Sequence, residues 1–240
     1  MDGGIYPPEK IREKSWSSML HKTQGVVFRF TNYSETSIIV SIFTAAFGLQ
    51  SYIVNAVRSK SGKNKIALYQ PLTLLDLVVY HRENASILRI KEVRCIHPYQ
   101  SISSDFRKST IALFLNEVIN KTVKDQSHAQ ELCEFLIQSL THFDLQQSNV
   151  ENFHLIFLIK LSQHLGFRPT ELAELMGGNF ALEEEKRILL RLLGAGYSDV
   201  VEMTHVQRRN VLDLLIRFYV SHSDSFVELK SLSVVRELIQ

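Results

Sequence analysis

A change of hydrophobic period at His97-Pro98 sets the strongest limit on what this chain can fold into. Before that point apolar residues recur at about every second position, and after it at every third or fourth. Strands gathered first and helices gathered second predict an α+β protein, an N-terminal barrel followed by an all-helical domain. With 45% hydrophobic residues in 240, both parts can have a core.

Five strands are predicted before the switch. In Thr23–Phe30, Val26, Phe28 and Phe30 alternate with Gly25, Val27 and Arg29, which predicts one better-buried face. Turn residues at Thr31–Glu35 lead into the β-branched run Ile38–Phe43, and the two segments read as a hairpin. Leu49–Val57, Leu72–Tyr80 and Ser86–Ile96 supply three more strands, and Ile66–Gln70 reads as a helical turn stopped by Pro71. Five short strands in about eighty residues favour closure, because a closed barrel leaves no exposed edges. The pattern fits an OB-fold best, while a five-stranded SH3-like barrel would share it.

Beyond Pro98, Ser104-Asp105 is placed to cap a helix running to about Lys124. Further helices are predicted at Gln130–Phe143, Phe153–Leu165, Glu183–Leu193, Thr204–Ser221 and Leu232–Ile239, with a shorter helical stretch in Pro169–Asn179. Phe153–Leu165 is apolar on nearly all sides and so reads as the central helix, with Gly166 ending it. The expected organisation is a flexible extension over 1–18, a barrel over 19–98 and a helical domain over 99–240. Met19 is the expected working start, with a genuine N-terminal arm over 1–18 as the alternative reading.

The overall charge of +2 conceals an asymmetry. Residues 19–98 carry ten Lys and Arg against four Asp and Glu, a net +6, whereas residues 99–240 have 14 against 18, a net −4. Such a barrel suits a polyanion. The densest cationic run is Arg58-Ser59-Lys60-Ser61-Gly62-Lys63-Asn64-Lys65, whose composition predicts an exposed mobile loop. With Lys22 and Arg29 on the first strand and Arg89 and Lys91 on the last, Arg58, Lys60, Lys63 and Lys65 form the candidate nucleic-acid surface. Arg89 and Lys91 share a face, and Arg94 falls on the other unless a bulge intervenes. Tyr33, Tyr52 and Tyr69 are of the kind that stacks on bases, and equally of the kind that fills a core.

Signatures of catalysis are missing. Gly177-Gly178 and Gly194-Ala195-Gly196 lack the spacing and the Lys-Ser or Lys-Thr of a nucleotide loop, and no nucleophile motif or HExxH appears. Cys95 and Cys133 cannot build a cysteine-rich zinc site or a disulfide framework, and both read as apolar fillers. His154 reads as a hydrogen-bonded core residue, and Glu183-Glu184-Glu185 as a solvated helix start. No metal, cofactor or enzymatic activity is expected. The longest apolar runs stop well short of the ~20 residues that cross a bilayer, and no leader opens the chain, so a cytoplasmic protein is expected, nucleoid-associated if its polyanion is DNA.

Several runs carry a resemblance. Thr23-Gln24-Gly25-Val26-Val27, Tyr33–Val40, Phe43-Thr44 with Phe47-Gly48-Leu49, Val57-Arg58-Ser59, Leu68-Tyr69-Gln70-Pro71-Leu72 and Ile90-Lys91-Glu92 resemble the RecO family of bacterial DNA repair proteins in order and spacing. Leu214–Tyr219 and Leu229–Leu232 extend the likeness to nearly the whole chain from Met19, in the form found in Bacteroidetes. The resemblance implies an N-terminal OB-fold and a helical C-terminal domain. It also implies a recombination mediator that binds single- and double-stranded DNA, anneals complementary strands without ATP and assists recombinase loading in the RecF pathway. Implied partners are RecR and the acidic C-terminal tail of single-strand-binding protein. The four zinc cysteines of many family members are absent here, so apolar packing must hold what zinc holds elsewhere. Phe167 and Arg168, a cation beside apolar surface, are the candidate docking point for that tail. The rival expectation is an interaction module whose barrel takes an acidic protein or peptide. A nuclease would be a third class, disfavoured by the missing metal carboxylates.

Overall fold

The computed structural model describes residues 19–57, 63–82, 85–124, 127–169, 171–176, 183–223, 226 and 228–238. The expected extension over 1–18 lies outside them. Five strands, β1 (Met19–Asn32), β2 (Ile38–Thr44), β3 (Gly48–Val54), β4 (Leu74–His81) and β5 (Leu88–Cys95), close into a barrel in the order β1-β2-β3-β5-β4. All neighbours are antiparallel except β3 and β5, which meet in parallel at Tyr52–Leu88 and Ile53–Arg89. Between β3 and β4 the chain forms helix α1 (Lys63–Ile66) and a 3-10 turn (Ala67–Tyr69), with Gln70 already extended ahead of Pro71. Val57, Leu68 and Tyr69 from this connection pack into the barrel interior. Closure through a parallel β3–β5 seam with a helical plug after β3 is the OB-fold arrangement, which resolves the choice against an SH3-like barrel.

Two bulges shape the wall. On β1 the partners of Val27 and Arg29 are the consecutive residues Ile42 and Ser41, so Phe28 is the extra residue. On β5, Ile90 and Glu92 pair with Val79 and Val78, so Lys91 is extra. The first bulge changes the expected pattern: Val26 and Phe28 leave the barrel outward, while Val27 and, after the bulge, Phe30 point in. Both faces of β1 are therefore buried here, because the helical domain covers the outer one.

That domain comprises α2 (Phe106–Thr122), α3 (Ala129–Leu145), a 3-10 turn (Val150–Asn152), α4 (Phe153–His164), α5 (Leu172–Met176), α6 (Glu183–Gly194), α7 (His205–His222) and α8 (Leu232–Leu238). Helix α4 is buried from Phe153 through Ile159, as its all-round apolar sequence requires, and Gly166, at φ +82°, turns the chain out of it. Asp105 caps α2 by accepting from the Arg107 backbone N–H, and Thr204 with Gln207 forms a capping box on α7. Barrel residues Val26, Phe28, Phe43 and Leu74 belong to the same apolar cluster as α2, α3 and α4, so the two parts share one core. Cys133 is buried in that seam, and Asn120 donates its amide to the Phe28 carbonyl at the bulge (3.1 Å).

The connection after β5 is held by Asp144, at the end of α3. Its carboxylate accepts from the backbone N–H groups of Gln100, Ser101 (2.8 Å) and Ile102 (3.0 Å), and meets His97 Nε2 at 2.8 Å. Burial alone would raise this carboxyl's pKa, but the converging donors outweigh it and hold it far below the usual carboxylate range. Lys108, 3% exposed, donates to Ser101 Oγ (2.6 Å) and to the Asp144 carbonyl (2.8 Å). His154 is fully buried, as expected of a core residue; neither ring nitrogen makes a hydrogen bond of ordinary geometry, with the Glu151 main chain a minor favourable contact. It sits edge-on to Phe114, and burial pushes its pKa down to about 3, so the ring is neutral.

Candidate nucleic-acid interface

Strand alternation and the register define the outer wall row by row. The end of the barrel towards the helical domain is covered through Val26, Phe43 and Leu74. Two residues further along β2 and β3 a row contains Arg29, Ser41 and Ser51; on the other side of the barrel the row two residues along contains Gln24, Asp76 and Arg94, and the row four residues along contains Lys22, Val78 and Glu92. Beyond them lies a row of Ile39, Ile53, Arg89, Tyr80 and Leu20 on successive strands β2, β3, β5, β4 and β1. Their chain neighbours Val40, Tyr52, Leu88 and Val79 fill the interior, so these side chains face outward.

The predicted cations distribute unevenly over this surface. Lys22, Arg89 and Lys91 occupy the β1–β4–β5 wall, and Arg29 stands across the barrel beside β2. Among the described residues, Lys22, Arg29 and Arg89 have no ion pair, whereas Lys91 lies 3.8 Å from the Glu92 carboxylate. The bulge at Lys91 returns Arg94 to the outer face, where it donates to Asp76 (2.9 Å) while Gln24 donates to the second Asp76 oxygen (3.1 Å). The hydrogen bond from Arg94 is the main reason that the Asp76 carboxyl lies below its ordinary range. Lys65 is exposed on α1. Arg58 and Lys60 lie outside the described residues, and of Lys63 only the backbone, within α1, is described.

Of the three tyrosines, Tyr33 alone offers a face to solvent, at 60% exposure. Tyr52 and Tyr69 are barrel core, which takes them out of the candidate surface; burial raises both hydroxyls, that of Tyr69 to about 12. Sequence reasoning missed Tyr80, Ile39, Ile53 and Leu20, whose only signal was their alternation with interior residues. It could not show that these positions adjoin.

A groove of about 770 Å³ crosses the β1–β4–β5 wall between Lys22, Gln24, Asp76, Glu92 and Arg94. Its lining carries both signs of charge. In the helical domain, Phe167 is half-buried against Tyr219 and His222 and borders a cavity of about 550 Å³ with Lys124, His128, His164 and Gly166. Arg168 is exposed beside Phe167 but does not line that cavity. Among the described residues no group of three or more His, Cys, Asp or Glu is placed to hold a metal ion, and no helix is long and apolar enough to cross a membrane.

A closed barrel with cations on its free outer wall is here fused through a shared core to a helical domain. Residues 19–99 match the family described as Recombination protein O N terminal, and residues 103–174 match Recombination protein O C terminal. The chain belongs to the RecO family. It is 34% identical to DNA repair protein RecO of Flavobacterium johnsoniae over 233 residues, covering 90% of this chain and 98% of that one. DNA repair protein RecO of Bacteroides fragilis is 32% identical over 240 residues, covering 92% and 99%. Among solved structures, asparaginyl-tRNA synthetase of Entamoeba histolytica, at 14% identity and a TM-score of 0.28 over 54% of this chain and 33% of that one, is too remote to bear on fold or function.

Proposed function

We propose that this protein is a recombination mediator that binds single- and double-stranded DNA on its barrel, anneals complementary strands without ATP and assists recombinase loading. The observation that carries the reading is the set of cations Lys22, Arg29 and Arg89, without an ion pair among the described residues, on the barrel wall that the helical domain leaves uncovered. Cations of this kind neutralise phosphates and release counterions, so binding weakens steeply with salt. Two strands held on one cationic surface repel each other less and meet at a raised local concentration. No catalytic group is needed for that.

The helical domain is the proposed platform for RecR and for the acidic tail of single-strand-binding protein. For the tail, support comes from the cavity beside Phe167, whose rim combines Lys124 and His128 with apolar surface, a match for an acidic peptide ending in an apolar residue. The rival reading, a barrel that takes a protein or peptide, draws on the mixed-charge groove of Lys22, Asp76, Glu92 and Arg94.

Anisotropy of a fluorescent single strand across a salt series separates the two. Changing Lys22, Arg29 and Arg89 together to alanine is expected to weaken binding and flatten the logarithmic salt slope by about 2, from about 0.7 per lost phosphate contact. A second variant, with Arg58, Lys60, Lys63 and Lys65 changed to alanine, measures the share of that segment. Native protein that does not bind DNA, or binds with no salt slope, would transfer the case to the protein-interaction reading.

A further inference from the structure

We infer that the row Ile39–Ile53–Arg89–Tyr80 is the path of a single nucleic-acid strand, with bases against the apolar side chains, and that it separates single strands from duplex. The inference rests on the DNA-binding reading above and adds to it a path and a selectivity.

The four positions are neighbours on β2, β3, β5 and β4, so the row continues over the parallel seam that closes the barrel. At about 4.8 Å between strands it extends roughly 14 Å. Leu20 prolongs it beyond Tyr80. Ile39 and Ile53 are half-buried and pack on neither core cluster, and Tyr80 and Leu20 are 37% and 46% exposed, so this is outward, partly exposed apolar surface. A row like this on a barrel calls for an occupant.

Charge identifies the occupant. Arg89 lies within the row, while Arg29 and Lys22 stand one row nearer the helical domain, towards its two ends. None of the three has an ion pair among the described residues. The acidic residues of the wall, Asp76 and Glu92, lie off the row and are engaged by Arg94 and Lys91. Apolar and aromatic faces flanked by unpaired cations match a strand whose bases are open and whose phosphates run alongside. Duplex DNA keeps its bases stacked inside, so it can use the cations but not Tyr80 or the isoleucines. Discrimination then resides in the apolar side chains and affinity in the cations.

The test uses the full chain. Tyr80→Ala and Arg89→Ala are assayed by anisotropy against one labelled oligonucleotide, as a single strand and as a duplex, with thermal melting to verify folding. Tyr80→Ala is expected to weaken single-strand binding about tenfold, the scale of one lost base stack, and to leave duplex binding unchanged. Arg89→Ala is expected to weaken both. As an independent readout, Tyr80→Trp in a Trp16→Phe background is expected to lose fluorescence on adding single strand and not on adding duplex. The path is overturned if Tyr80→Ala leaves single-strand binding intact, or weakens both forms equally, while Arg89→Ala still weakens them; DNA binding by the barrel then stands without it. If the native chain binds neither form, path and functional reading both fail, and the row becomes a protein-binding surface.

Discussion

Asp144 offers a severe test of how the barrel is joined to the helices. Its carboxylate receives three backbone N–H groups and His97, and its main-chain carbonyl receives the buried ammonium of Lys108. In Asp144→Ala, each buried donor left without an acceptor costs about 1–3 kcal/mol. Gln100 is exposed and Ser101 half-buried, so water can reach their N–H groups, whereas Ile102 is buried and its donor stays orphaned. Lys108 would also lose the larger of the two carboxylate attractions on its charge, Asp105 supplying the other, and stranding a buried cation costs up to about 3–5 kcal/mol when its partner is removed. Because Lys108 keeps its two oxygen acceptors, about 4 kcal/mol in total is expected. Asp144→Asn, which retains shape and one acceptor oxygen, should lose about 2 kcal/mol. Urea unfolding at pH 7, followed by circular dichroism, measures both, and Lys108→Met in the Asp144→Ala background should recover part of the loss. A loss below about 1 kcal/mol in Asp144→Ala, or no recovery in the double variant, would refute the account. The acid limb has a definite sign. The folded carboxyl's pKa is depressed, so its contribution is complete above the unfolded value near 4 and disappears only as the pH falls below it; Asp144→Asn should flatten that limb.

Two further outcomes follow from the core. His154 is lowered to about 3 in the folded protein against about 6.5 unfolded, so the unfolded state binds the extra proton as pH falls below 6.5; stability should drop by about 2 kcal/mol between pH 7 and pH 5, and His154→Leu should remove that part of the slope in urea titrations at the two pH values. Gly25→Ala would put a Cβ 2.8 Å from Ile42 Cγ2 and 2.9 Å from the Phe43 carbonyl oxygen, and because the latter is backbone paired with β1, a loss of about 1–3 kcal/mol and a lower melting temperature are expected.

Much of the candidate site was open to inspection in the linear chain, because charge is a property of residue type. Lys22, Arg29, Arg89 and Lys91 were identifiable as cations on strands, and the exposure of Arg89 followed from its alternation with Leu88 and Ile90, whereas Arg29 stands opposite the buried Val27 only because of the bulge at Phe28. What alternation could not supply was adjacency. Arg29 and Lys22 lie seven residues apart on one strand yet belong to different walls, since β1 pairs with β4 through its first part and with β2 through its second. The tyrosines show the same limit from the other side: Tyr33 and Tyr52 are chemically identical, and burial alone separates an exposed ring from core.

By itself, then, the sequence determined the division at His97-Pro98, the order of strands and helices, the stops at Pro71 and Gly166, and the concentration of positive charge in the barrel. These depend on local periodicity and backbone preference, which act over a few residues. Only the tertiary structure decided that the barrel closes through a parallel β3–β5 seam, that Phe28 and Lys91 are bulges, that β1 is buried on both faces from Gly25 to Phe28, and that Ile39, Ile53, Arg89 and Tyr80 form one row. Those features depend on pairings between residues tens of positions apart, and a bulge of one residue exchanges inside for outside along the rest of a strand.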